Sequence, residues 1–402
     1  MTYSTRKAYI TTILINIFVI VLLYGCGAGA SSAKNIPDNN APQVTLFSTT
    51  SLSKSIVNCS NFNSNVAAIN NNGVVAGFIT SPHESNSLQC VQHDYLWDSE
   101  SSNSLSIIPF PDTLPIPEEV TGASIAALST NLISAGITFI NMTVSSTYPD
   151  EFASYNQNLL PNIINGWNYI FGVSENGQFL VGTNLGGNLL LFDTTLKQPA
   201  ALTLDGTPLA GAAELISVSN DGTAVGIYND TTISPNGIAI ICKNTTQNCY
   251  IIDESDAYSS SARSISSNGQ IIYGVRLDNH GNNTIFQVNP ETYATTTLFD
   301  NYTIYHHYNV TNNGIILVTP DSGDSYFIYV PKIGVYSVST LINNLHLPSN
   351  IDPTTATISP NGKYIAFDVS TYTNNNIIGA KVFFPLGIES YLSKNITSIP
   401  VN

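Results

Sequence analysis

Beginning at Ala68 the chain reads AINNNGVVAG: an aliphatic position, a polar turn centred on Asn-Gly, then a strand-like apolar run that closes on glycine. The same order of apolar and polar positions returns as ALSTNLISAG from Ala127, GVSENGQFLVG from Gly172 and SVSNDGTAVG from Ser217. It continues as SISSNGQIIYG from Ser264, NVTNNGIILV from Asn309 and ISPNGKYIAF from Ile358. Asn and Gly accept positive φ, so each dipeptide can close a tight turn between two antiparallel strands. Measured at Gly73, Leu132, Gly177, Gly222, Gly269, Gly314 and Gly362, the copies step by 59, 45, 45, 47, 45 and 48 residues. A large aliphatic residue precedes every turn: Ile69, Leu128, Val173, Val218, Ile265, Val310 and Ile358.

An aromatic or apolar run follows each turn at a similar distance, as in DYLWD (Asp94 to Asp98), LLLFD (Leu189 to Asp193) and YFIYV (Tyr326 to Val330). A further β-rich run, such as SLSIIPF or GVYSVSTLI, comes after it. One repeat therefore predicts four strands, and a step in the forties predicts radial repetition. The expected fold is an all-β propeller of seven four-stranded blades, or six if the Leu132 copy is not a unit; the alternative is a β-sandwich with accidental turn spacing. VTLFSTTSL (Val44 to Leu52) is left over and is expected to close the ring against the last blade. Trp97, Tyr95 and the other third-strand aromatics are expected to pack between blades.

The first residues change the compartment. Arg6 and Lys7 precede an apolar run, Ile10 to Leu23, too short for a comfortable membrane span and suited to a secretory signal. From Gly27 to about Gln43 the chain is Gly, Ala, Ser, Asn and Pro, a flexible tether. The expected division is a leader over 1–25, a tether over 26–43 and one propeller domain over 44–402. Cys59, Cys90, Cys242 and Cys249 are an even set once Cys26 is set aside, which suits two disulfides in an oxidising envelope. Cys242 and Cys249 flank the polar turn KNTTQN, and Cys59 and Cys90 flank the first Asn-Gly turn. The formal net charge of −15 argues against nucleic acid and against electrostatic adsorption to anionic membranes.

Leu23-Tyr24-Gly25-Cys26 resembles a bacterial lipobox, which implies lipidation at Cys26, and Gly27 in place of Asp resembles sorting to an outer membrane. ISPNGKYIAF resembles the turn of WD-repeat-like and periplasmic propeller repeats. NNGVVAG paired with HDYLWD, His93 to Asp98, is similar to HAF repeats. The resemblance spans about Asn63 to Leu392 and implies a propeller.

Chemistry has few sequence anchors. No Gly-x-Ser-x-Gly, P-loop, His-Glu-x-x-His or EF-hand pattern occurs, and neither a metal nor another cofactor is expected. His306 and His307 point to opposite faces of a strand, and Asp321 and Asp324 read as turn residues. Propeller ligands meet the channel mouth, where loops enter the innermost strands. Four residues before each aliphatic position stand Asn65, Ser124, Tyr169, Glu214, Ser261, His306 and Thr354; Arg263 and Tyr308 lie two residues further in. Glu214 and His306 are the members able to move protons near neutral pH. Solvated strand ends are polar anyway, so this ring reads either as a ligand site or as ordinary rim.

The expectation is a monomeric, lipid-anchored cell-envelope propeller, on the periplasmic or surface face of a bacterial outer membrane. It would bind or scaffold an envelope protein or glycan, touching the bilayer through its acyl anchor alone. The alternatives are a hydrolase or lyase acting on polysaccharide or peptide through Glu214 and His306, and a purely structural surface protein.

Overall fold

A computed structural model describes residues 40–48, 64–82, 90–98, 104–108, 120–140, 151–157, 160–164, 167–184, 189–209, 212–229, 236–252, 258–304, 310–321, 325–369 and 377–399. The chain divides into two compact units, Met1–Ala41 and Pro42–Asn402, and the strands belong to the second. The leader and Cys26 lie outside the described residues, as do His306, Tyr308, Asp324, Cys59 and the side chain of Cys90.

The second unit is an all-β propeller. Among the described residues its strands form six hydrogen-bonded sheets, of which four have four strands each. The largest sheet holds two consecutive four-stranded meanders, Ser64–Ile107 and Val120–Ile163, joined by one parallel pair, Gln92 with Gly122. Another carries a small hairpin, Thr203–Leu204 with Thr207–Pro208, on the outer edge of the fourth repeat. Counted by sheets there are therefore six units, and counted by turn-bearing meanders there are seven. The Leu132 copy is one of these meanders; Leu132 occupies the glycine position of its turn at φ 64°.

Hydrogen bonds between consecutive turns show how the repeats are ordered. The Asn72 amide donates to Thr130 O (3.3 Å), Thr130 N to Glu175 O (2.7 Å) and Asn176 N to Asn220 Oδ1 (2.8 Å). Asn220 N donates to Ser267 O (2.9 Å), Ser267 Oγ to Asn312 Oδ1 (2.8 Å) and Asn312 N to Pro360 O (3.0 Å). Asn361 N then donates to Asn71 Oδ1 at 2.7 Å, returning to the first turn. Asn71 also donates across to Glu175, two repeats away, so the belt is drawn in tightly around the axis. Amide side chains thus tie the turns together at this end of the ring.

A buried polar position sits under the belt, immediately after the aliphatic residue: Asn70, Ser129, Ser174, Ser219, Ser266, Thr311 and Ser359. In six repeats its side-chain oxygen accepts the N–H that opens the second strand, as Ile133 N to Ser129 Oγ (2.8 Å) and Tyr364 N to Ser359 Oγ (3.0 Å). A buried N–H without a partner is costly, so these small hydroxyls stabilise each turn from inside.

Ring closure comes from the N-terminal side. Gln43–Ser48 pairs antiparallel with Ile377–Phe383 as the outer strand of the last repeat, as the leftover apolar run leads one to expect. Phe47, only 1 % exposed, stacks on Trp97 of the first repeat with ring centroids 4.5 Å apart. Lys381 is buried in the same seam, its Nζ donating to Gly73 O at 2.8 Å and lying 4.8 Å from the Trp97 ring centroid. The core is a series of apolar layers between repeats, such as Val225, Ile241, Ile272 and Phe286. Tyr95 and Trp97 are buried packing residues, and Cys242 is bonded to Cys249, its direct cross-strand partner.

Candidate functional site

The innermost strands are Ser64–Ile69, Val120–Leu128, Trp167–Val173, Ala212–Val218, Ser259–Ile265, Tyr302–Ile304 and Thr357–Ile358. Strand side chains alternate, and in the first repeat Ser64, Val66 and Ala68 are buried between repeats, whereas Asn65 and Ala67 are half exposed, Ala67 resting against the apolar layer shared with the second repeat. In five repeats the register slips by one residue at the same place, between Val66 and Ala68, Ile125 and Ala127, Ile170 and Gly172, Leu215 and Ser217, and Ala262 and Ser264. Each slip is a β-bulge, and its extra residue is Ala67, Ala126, Phe171, Ile216 or Arg263. Bulges re-aim side chains and are common beside sites.

The glycine that ends three of the sequence motifs belongs to this device. A Cβ on Gly77, Gly182 or Gly226 would collide with the carbonyl oxygen of Asn65, Tyr169 or Glu214 respectively. Bare glycine lets the bulged strand press its carbonyl against the second strand, and the residue so placed is in each case a mouth residue.

The channel wall is one-sided. Repeats 1, 2 and 7 carry Asn65 and Ala67, Ser124 and Ala126, and Thr354 and the fully buried Ala356, whereas repeats 3 to 5 carry Tyr169 and Phe171, Glu214 and the buried Ile216, and Ser261 and Arg263, so the aromatic and charged side chains stand on one side. Tyr169 and Phe171 stack with their planes 5° apart and centroids 6.0 Å apart, making one broad aromatic surface. Arg263 is largely buried: desolvation pulls its pKa below the usual guanidinium value, and the negative charge of Glu214 on the neighbouring repeat works against that fall. Ser261 is 4 % exposed, and its hydroxyl has no hydrogen-bond partner among the described residues. An unpartnered buried hydroxyl costs free energy unless a ligand or water meets it.

Not every expected rim residue joins this group. Ser124 and Asn65 hold the same place on their innermost strands, paired with Ile137 and Phe78, as Glu214 does in repeat 4, paired with Ile227. Thr354 sits in the short helical turn Pro353–Thr355, where its N–H and hydroxyl both donate to Asp352 Oδ1, at 2.8 and 2.7 Å. Asp321 accepts from the Asn283 backbone and side chain, at 2.9 and 2.8 Å, a contact between the fifth and sixth repeats and not within its own turn. Phe171 was not anticipated, because an aromatic residue in a strand reads as core; its place two residues before Val173, the register of Arg263, is the signal that marks it.

Two buried acids flank the first repeat outside the mouth. Asp94 is 8 % exposed, and burial pushes its carboxyl well above the usual range despite a hydrogen bond from the Ile125 backbone. Asp368 is pushed up to about 7 by burial, against opposing hydrogen bonds from Val369 N and Ser64 Oγ, while nearby Asp352 raises it further. A carboxyl whose folded pKa is raised holds its proton more tightly when folded, so stability is full below about pH 4 and falls as pH rises toward 7. The Tm of the wild type is expected to drop by several degrees between pH 4 and 7.5. Asp368→Asn should flatten that slope, leaving the Asp94 contribution; an unchanged slope would remove Asp368 from the cause.

No protein-family model matches the chain, and no curated protein matches it in sequence. Solved structures similar to it include an oligogalacturonate lyase in complex with manganese, at 10 % identity and TM-score 0.46 over 81 % of this chain and 96 % of that one. The Dos1 propeller matches at 14 % identity and TM-score 0.46, over 81 % of this chain and 93 % of that one. A putative TolB from Agrobacterium tumefaciens matches at 12 % identity and TM-score 0.37, over 64 % and 88 %.

Proposed function

We propose that this chain is a lipid-anchored binding module of the bacterial envelope, which holds a neutral, hydroxyl-rich ligand, the end of a glycan, in the mouth of its channel. The observation that carries the reading is the one-sided wall of repeats 3 to 5. The amide belt ties the turns together at the far end of the ring, so the mouth is the end read as the site. Arg263 and Glu214, on neighbouring repeats, offer hydrogen-bond donors and acceptors of opposite charge. A charged ligand would set one member of that pair against its own sign in a poorly solvated site. A sugar meets both members, and its apolar C–H face fits the Tyr169–Phe171 surface.

The test is titration of the full chain against neutral oligosaccharides of glucose, galactose and N-acetylglucosamine, with oligouronates as the charged comparison, followed by calorimetry. Arg263→Ala is expected to weaken binding at least about tenfold, since it strips a buried charge-assisted donor. Equal binding by wild type and Arg263→Ala would overturn the assignment of the mouth.

A further inference from the structure

The net charge of the chain conceals how its cations are placed. Among the described residues the exposed ones are Lys197, Lys332, Lys363 and Lys394. In a four-stranded meander the first and third turns emerge on the same face, and that is where all of these lie. Lys363 follows the Asn-Gly turn of the last repeat, Lys197 and Lys332 sit in third turns, and Lys394 is on the helix α2 (Ile388–Asn395) that follows the last repeat's third strand; an earlier helix, α1, spans Val338–Asn344.

Exposed aliphatics gather at the same place. Leu386, Ile333 and Ile399 are 55, 41 and 47 % exposed, and Leu386, Ile333 and Lys394 line the clefts beside α2, while Leu132 and Leu196 are exposed on the same face in repeats 2 and 3. Two shallow clefts of about 320 and 480 Å³ flank the helix, and Glu389 is the one acid that lines either. The other acids of this face among the described residues are Asp98, at the end of the first repeat's third strand, and Glu175, Asp193, Asp221 and Glu291 of repeats 3 to 5. The mouth face carries Asp278, Asp300 and Asp321 and, among the described residues, no exposed Lys or Arg.

The closing strand of the second unit begins beside this patch. Gln43, the first residue of the closing strand, pairs with Phe383, just before Leu386 and α2. The preceding residues include the apolar run from Ile10 to Leu23.

We propose that the turn face around α2 docks on an anionic lipid-bilayer surface, with the channel mouth directed away from it. Lysines beside an anionic headgroup layer gain electrostatic attraction, and aliphatic side chains among them enter the headgroup boundary. A basic patch beside an inserted chain is the two-signal arrangement that makes membrane attachment stable. The whole-chain charge excludes adsorption by any face at random; this face is the exception.

The experiment places an environment-sensitive fluorophore at Leu386→Cys, or at Tyr258→Cys beside the mouth, in the full chain on vesicles of phosphatidylcholine with and without phosphatidylglycerol. The label at 386 is expected to shift to the blue on phosphatidylglycerol vesicles and to revert in high salt, while the label at 258 stays water-like. Changing Lys332, Lys363 and Lys394 together to Glu should lower the docked fraction at least about tenfold. A label at 386 that stays water-like, a shift insensitive to charge reversal, or immersion of the label at 258 would each overturn the proposal. The saccharide titration is independent of these outcomes, so either reading can fail alone.

Discussion

Phe47→Ala is expected to destabilise the propeller by about 3–5 kcal/mol, the usual cost of truncating a fully buried aromatic. The size follows from where the ring sits. Phe47 covers Gly379 on the adjacent strand and stacks on Trp97 of the first repeat, joining the chain's N-terminal strand to both sides of the seam. Its loss leaves a cavity at the place where the ring is closed by only six paired residues, Gln43 to Ser48. Unfolding should therefore begin there: the amides of Ala380 and Val382 should exchange faster than those of Val225 and Ile241 in the fourth repeat. Uniformly accelerated exchange would mean that the seam is no weaker than the rest.

Gly226→Ala is expected to cost about 3 kcal/mol or more, at the upper end of overpacking penalties. Here the strain falls on backbone, because the new methyl would collide with Glu214 O, which cannot swing away like a side-chain tip. The bulge at Leu215 and Ser217 must open to relieve it, and that moves Glu214 away from Arg263. The variant should thus lose saccharide binding even under conditions where it remains folded. A urea midpoint close to that of the wild type would show that the bulge yields easily, and that the glycine has another purpose.

How legible the molecule is from its sequence depends on which interactions repeat. The Asn-Gly turns and their aliphatic partners recur, so the propeller, its repeat step and its closing strand can be read directly. The glycine at the end of the motif is visible too, but its reason is not, since the bulge it accommodates is a matter of register. Ser129, Ser174 and their equivalents look like solvent-facing turn residues and are fully buried. The count of sheets is unreadable because one bridge, Gln92 with Gly122, merges two meanders into one. At the mouth, counting back from the aliphatic position finds Tyr169, Glu214, Ser261 and Arg263. It misses Phe171, and it gives no hint that Asp94 and Asp368, in strands that read as core, are buried and raised in pKa.

The central claim is that repeats 3 to 5 form a ligand-holding wall that repeats 1, 2 and 7 do not share. Saturation-transfer NMR of the full chain with a neutral oligosaccharide tests it most directly, comparing wild type, Arg263→Ala and, on the other side, Asn65→Ala. The expected result is transfer to the sugar's C–H protons that is lost in Arg263→Ala and kept in Asn65→Ala. Equal signals from all three proteins, or no transfer from the wild type, would contradict it.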